Sequence, residues 1–381
     1  MLGFLADYWK LKIEITTNDN ITNTISLFIK AISRTNAAKA NMVKDLKLFE
    51  KEAFFYTNIK KRITIPGIKP WSANLVTYLN DGVVFEDLNA LNYMNSNKFD
   101  TYDEKHTLIA LETLARFHAS SIIYEEKMSN LLGKKYYINA DYEKNLDCGG
   151  YNISDPWYLQ CMTSALAALK AYSKYRSNNN TLQLIESRWK NIWKTALDLS
   201  DVSSEFRNVI CHRDLWNNNL LFKYKKVGLE MIPEDCLLVD FQAVRYQPPA
   251  GDVMLLLYCN LENRFREKNI ATFLNYYYNT LEKILEENGV SINSIVTLQE
   301  FLNSCKQQRL WGLIATACLI PQVWIDDDLI TEIFCDTAQF ENILTKNKTK
   351  FINEMIAKNG DYKNKVLQVF EEIVERYCLS T

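Results

Sequence analysis

Near the start of the chain, Leu11, Ile13 and Ile15 alternate with Lys10, Lys12 and Glu14, the two-residue repeat of a half-buried strand. A second strand is predicted at 25–32. Between 43 and 61 the period lengthens, and Val43, Leu46, Phe49, Ala53 and Tyr56 return every three or four positions among Lys and Glu, as one face of a helix requires. Two short strands, 75–79 and 83–86, flank the turn signal Asn80-Asp81-Gly82. From about Asp103 helices dominate: Leu108, Leu111, Ala115, His118 and Ile122 share one face over 104–126, and similar stretches fall near 158–177, 181–199, 263–286, 298–319 and 361–378. The only strand-like runs there are short, at 209–211, 220–224 and 237–240. The pattern predicts an α+β chain with a small β-rich region, 1–88, and a large helical one, 89–381, divided at a hinge near 86–89.

Composition narrows the ligands. Forty-four Lys and Arg oppose forty-six Asp and Glu, a net charge of −2 that offers no field to collect nucleic acid or an anionic membrane. Small-molecule ligands are expected, with no obligate protein partner. Hydrophobic residues make up 48% and charged ones 24%, ordinary values for a packed globular chain. Nine cysteines without a C-x-x-C pair or regular spacing read as scattered thiols. The odd count, the absence of a leader-like start and the lack of an apolar run near eighteen residues predict a soluble, cytoplasmic protein.

The chemistry concentrates in Cys211-His212-Arg213-Asp214-Leu215-Trp216-Asn217-Asn218-Asn219, an H-x-D with an Asn five residues after the Asp. That is the catalytic-loop spacing of kinases. Asp214 on a short loop can accept the proton of an attacking hydroxyl, and Asn219 can turn its amide oxygen toward Mg²⁺ on the phosphates of ATP. Twenty-one residues beyond Asn219, the apolar run Leu237-Leu238-Val239 ends in Asp240, an anionic second metal ligand. Upstream, Lys30 closes the run Ser26-Leu27-Phe28-Ile29 and is suited to the α and β phosphates, with Glu52 as the carboxylate that steadies it and Glu50 as the second choice.

With these residues in view, the chain resembles the ecdysteroid-kinase-like group of choline-kinase-like small-molecule kinases of insects and nematodes. The likeness rests on Phe49-Glu50-Lys51-Glu52 with Phe55-Tyr56, Phe85-Glu86-Asp87-Leu88, Leu114-Ala115-Arg116-Phe117-His118-Ala119, the run from His212 to Phe222, and Val239-Asp240-Phe241-Gln242 with Arg245, Pro249 and Asp252. The last hundred residues resemble the group only in helical character. The resemblance implies a protein-kinase-like two-lobed fold, Asp214 as catalytic base, Asn219 and Asp240 on magnesium, and Lys30 paired with Glu52. Glu86 to Leu88 would form a hinge whose backbone meets adenine. It also implies an acceptor that is a small-molecule alcohol, an ecdysteroid or a xenobiotic. His118, on the apolar face of its helix, is expected to be a core histidine, and Asp252 to brace the catalytic loop.

Three departures from the group stand out. The chain opens Met1-Leu2-Gly3-Phe4-Leu5-Ala6-Asp7, as if inside the phosphate-covering turn, and that turn holds one glycine. Arg213 stands where the group has glycine. A protein kinase is a poor rival reading, since only eleven residues separate Asp240 from Asp252, too few for its activation segment. The rival readings are a catalytically weak or inactive nucleotide-binding protein and, more remotely, a metalloenzyme using His212, Asp214 and Asp240.

Overall fold

The computed structural model describes residues 5–19, 22–147 and 151–379. Met1 to Phe4 of the expected phosphate-covering turn lie outside them, whereas Ala6 and Asp7 already belong to the first strand. In chain order the strands are β1 (Ala6–Thr16), β2 (Thr22–Ile32), β3 (Leu75–Leu79), β4 (Gly82–Glu86), β5 (Tyr93–Met94), β6 (Val209–Cys211), β7 (Leu220–Val227), β8 (Glu230–Leu238) and β9 (Arg245–Gln247). The chain forms two compact units. The first gathers 1–149, 217–244 and 275–291, and the second 150–216, 245–274 and 292–381. This grouping follows compactness, whereas the 88/89 boundary expected above follows the change of hydrophobic pattern along the chain.

In the first unit, β1, β2, β4 and β3 lie side by side in that order, all antiparallel. Gly82 starts β4 where a Cβ would stand 2.9 Å from the Lys30 carbonyl, so the Asp-Gly turn also serves the close approach of β2. The alternation in β1 is a strand as expected, but it is not half-buried: Trp9, Leu11, Ile13 and Ile15 are exposed, with Ile25 opposite Ile13. The reason is topological. β1 is the edge strand, and β2 pairs with β4 only over Leu27 to Ala31, so the hairpin runs past the sheet at Ile13, Ile15 and Ile25, while Trp9 and Leu11, beside the paired stretch, are exposed as well. The opposite face carries Tyr8, stacked on Phe28 at 5.4 Å, together with Lys10 and Lys30.

The helix expected over 43–61 is split. Ala37–Asp45 ends before Lys47, which adopts a left-handed backbone (φ 53°), and Leu48–Phe54 then continues through a wider π-helical segment, Phe55–Lys60. Phe55 from that segment stacks on Phe241 at 4.3 Å, and Trp71 and Phe117 close around the pair. The small sheet β5-β7-β8 packs on the helix Glu104–Leu132, whose start is capped by Asp103 accepting from the His106 amide. Here Arg116 and Lys69 converge on Asp235 at 2.9 Å each.

The second unit is helical apart from the short pair β6-β9. Its central contact is between Pro249–Asn260 and Leu298–Val323, and Gly312 permits it: a Cβ there would lie 2.9 Å from the Met254 backbone. Thr297 and Glu300 form a reciprocal capping box at the start of the longer helix. Among the described residues no helix is long and apolar enough to cross a membrane.

Candidate active site

Lys30 sits at the inner face of β2, 4% exposed, and its ammonium lies 2.7 Å from Glu52 Oε2 and 2.6 Å from Asp240 Oδ1. Three residues drawn from positions 30, 52 and 240 thus meet at one charge. Burial by itself would lower the Lys30 pKa, but the carboxylates of Asp240 and Glu52 outweigh it and hold the ammonium well above the ordinary lysine range. The other Glu52 oxygen accepts from the Phe241 amide at 3.2 Å, so the same carboxylate steadies both the lysine and the residue after Asp240. Glu50, the second choice, is exposed and makes no such contact with Lys30.

Asp240 lies two residues beyond the end of β8 with a left-handed backbone (φ 70°), a conformation Asp tolerates better than most residues and one that turns its side chain out of the strand. Asn219 precedes β7 on a short 3-10 turn, and its carbonyl accepts from the Val239 amide at 3.1 Å. Because Leu220 pairs with Leu238, the β7-β8 hairpin brings Asn219 beside Asp240 despite the intervening chain. Asn95 and Ser96 brace this turn through the Asn218 carbonyl and the Asn217 side chain. Asp240 is one-fifth exposed, and among the described residues only its Oδ1 is hydrogen-bonded. A carboxylate oxygen and an amide oxygen are hard ligands of the kind Mg²⁺ prefers, so the residues present fit that ion.

Glu86 ends β4 with its carboxylate accepting from the Asn74 amide at 2.8 Å. The backbone amides of Glu86 and Asp87 are committed to Asn74 and Ser26 carbonyls, and Leu88 opens the following turn. Glu86 therefore ends an inner strand of the sheet that holds Lys30, and Leu88 follows just beyond it.

Asp214 belongs to the second unit, where its loop is gripped from one helix. Asp252 accepts from the His212 and Arg213 amides at 2.6 and 2.8 Å, and Asn260, two turns further on, donates to the Leu215 carbonyl at 2.7 Å. The Asp214 amide donates to His212 Nδ1 at 3.2 Å, which occupies that ring nitrogen and weakens a metal-ligand role for it. The bracing role expected of Asp252 is what the hydrogen bonds display. Asn260 was missed in the sequence, where nothing but its place at the end of an apolar helix marked it.

Arg213 has φ 67°, which is why a glycine would suit the position. Its guanidinium is buried between the rings of Trp311 (4.8 Å) and Tyr151 (5.4 Å) and donates to Ser200 Oγ. Burial, and then the like charge of Arg245, bring its pKa down to about 9. His118 is fully buried against Tyr277 Oη at 2.6 Å, a core histidine as expected.

A model of the ecdysteroid kinase-like family matches residues 3–290, a span that includes every candidate residue named above. The chain is 26% identical over 289 residues to an uncharacterized kinase-like protein of Caenorhabditis elegans, covering 69% of this chain and 66% of that protein. It is 35% identical over 135 residues to an uncharacterized oxidoreductase of the same organism, covering 35% of this chain but 16% of that protein. It thus spans less than two thirds of either relative. Among solved structures, an ethanolamine kinase of Plasmodium vivax aligns over 98% of this chain and 84% of its own, with 10% identity and a TM-score of 0.42.

Proposed function

The chain belongs to the ecdysteroid kinase-like family, and from that premise we propose that it is a small-molecule kinase moving the γ-phosphate of ATP onto a hydroxyl of an ecdysteroid or a comparable apolar alcohol. The observation that carries this reading is the ion triangle of Lys30, Glu52 and Asp240, which assembles the phosphate-holding lysine, its carboxylate and a metal ligand from three distant stretches of chain. Magnesium, held by Asp240 and Asn219, would neutralise charge developing on the phosphates. Lys30 is charged and oriented before any nucleotide arrives, so little reorganisation opposes binding. The committed amides of Glu86 and Asp87 leave that of Leu88 as the hinge donor for adenine. In this reading 1–88 serves the nucleotide, and 89–381 carries the catalytic loop, the metal ligands and the acceptor site.

Asp214 takes the hydroxyl proton as the oxygen attacks phosphorus, and the grip of Asp252 and Asn260 fixes where that carboxylate stands. An apolar acceptor agrees with the nearly neutral charge of the chain, and the free thiols of the eight described cysteines agree with a cytoplasmic setting. The test is transfer from labelled ATP to a panel of ecdysteroids, plant phenolics, choline and aminoglycosides, run beside generic protein substrates. Label should enter an alcohol and not protein. Asp214→Asn should lower turnover on the order of a hundredfold or more while an ATP-dependent thermal shift persists. Labelling of protein alone would overturn the acceptor class, and the absence of both label and thermal shift would overturn the kinase reading.

A further inference from the structure

A second reactive cluster lies in the helical unit, and nothing in the proposed reaction uses it. Lys348 opens the helix Lys348–Lys358 and is 2% exposed, while Cys161, on Pro156–Tyr172, is 1% exposed. The Lys348 ammonium lies 3.1 Å from Cys161 Sγ and 3.0 Å from Gln322 Oε1, with the Trp157 ring 5.3 Å away, and it makes no ion pair with a carboxylate among the described residues. A buried lysine held by a thiol, an amide oxygen and an aromatic face is an unusual arrangement, since desolvated ammonium groups are ordinarily matched by an anion. Of the groups in contact with the ammonium, the thiol is the one that can become an anion, while the Asp155 carboxylate acts on both Lys348 and Cys161 without forming an ion pair.

We infer that Lys348 and Cys161 form a peroxide-sensitive modification site, in which oxidation joins their side chains through a single bridging oxygen as a reversible nitrogen–oxygen–sulfur crosslink. The chemistry follows from the contact. The Cys161 sulfur attacks one hydrogen peroxide, forming an S–O bond and releasing water, which leaves a sulfenic acid beside the amine. A second peroxide takes two electrons from nitrogen as the N–O bond forms, and two further waters leave. The balance is thiol plus amine plus two hydrogen peroxide giving one S–O–NH bridge and three waters. The starting N···S distance of 3.1 Å needs little shortening to admit the bridge. Lys348 also favours the first step by drawing the thiol toward the ionised form that peroxide oxidises. Burial makes the reaction wait on local opening, so it should be slow and selective. The competing fate is a disulfide with Cys318, the other buried thiol of this cluster.

The test is intact-mass and peptide mapping of the full chain after hydrogen peroxide, with and without later dithiothreitol. The wild type should gain about 14 Da, one oxygen added and two hydrogens lost, in a crosslinked pair of peptides holding positions 161 and 348, and dithiothreitol should reverse it. The gain should persist in Cys318→Ser and vanish in Lys348→Arg and in Cys161→Ser. A crosslink of 161 to 318 instead, oxygen added to Cys161 without a crosslink, or an unmodified pair would each overturn the inference. Wild-type mapping decides the matter even where a variant folds poorly, and the result is independent of any kinase assay.

Discussion

Lys30 is the residue that balances the buried carboxylates of the first unit. Removing its charge leaves Glu52 fully buried and Asp240 partly buried, each without its cation. Lys30→Met should therefore cost about 3–5 kcal/mol, read as a fall in the urea midpoint. Adding Glu52→Gln should return part of that loss, because the double variant no longer buries the uncompensated carboxylate. Strictly additive losses would place the two residues outside one network.

At Cys161 the prediction concerns pH. Burial pushes its pKa up, but the hydrogen bond with Cys318 and the Lys348 ammonium outweigh it and bring the thiol down to about 7. A free thiol in an unfolded chain titrates near 8.5. Between those values the unfolded state holds more protons, so the native state gains stability as pH rises through this window and loses it as pH falls through about 7. The stability advantage of wild type over Cys161→Ser should be larger at about pH 9 than at about pH 6.5 in matched urea titrations. An equal difference at both would mean the thiol is not ionised in the fold.

At the scale of elements, the packing of Pro249–Asn260 on Leu298–Val323 admits no side chain at position 312. Gly312→Ala would set a Cβ against the Met254 backbone, which has less freedom to move than a side-chain tip. The expected loss is about 1–3 kcal/mol, despite the better helix propensity of alanine. Since Pro249–Asn260 also carries Asp252 and Asn260, the variant should lower turnover as well as the melting temperature. Unchanged turnover at reduced stability would show that the catalytic loop does not depend on this packing.

Much at this scale could be read from the sequence. Helices with a strong apolar repeat, such as Glu104–Leu132 and Leu298–Val323, fall within a few residues of their expected bounds. The pairing of Lys30 with Glu52 was legible too, because a lysine closing an apolar run needs a carboxylate, whereas its second contact, with Asp240, was not. The exposure of β1 was not legible: alternation reports a strand, whereas which face is covered depends on how far the neighbouring strand reaches. The break at Lys47 escaped as well, since no Gly or Pro marks it. Asn260 and the Lys348–Cys161 contact are tertiary coincidences that no local pattern encodes.

For the whole molecule, the governing fact is that neither compact unit is a continuous stretch of chain. The first needs 217–244 to supply β7 and β8, Phe241 to stack on Phe55, and Asp235 to receive Arg116. A fragment ending at residue 149 should therefore fail to fold, leaving a buried guanidinium without its anion and an aromatic cluster without its centre. Amide chemical-shift dispersion of that fragment is the measurement, and a dispersed, cooperative spectrum would contradict the expectation.

The same separation has a meaning on the ribosome. Arg116 and Asp235 are 119 residues apart, and at typical rates of synthesis the acid follows the base by about 6–24 s. Throughout that interval Arg116 and the rings of Phe55, Trp71 and Phe117 wait for the segment that supplies Asp235 and Phe241. A nascent chain in that condition is a natural client for holding chaperones, and slowing translation ahead of residue 235 should lengthen its exposure to them and lower the yield of soluble protein.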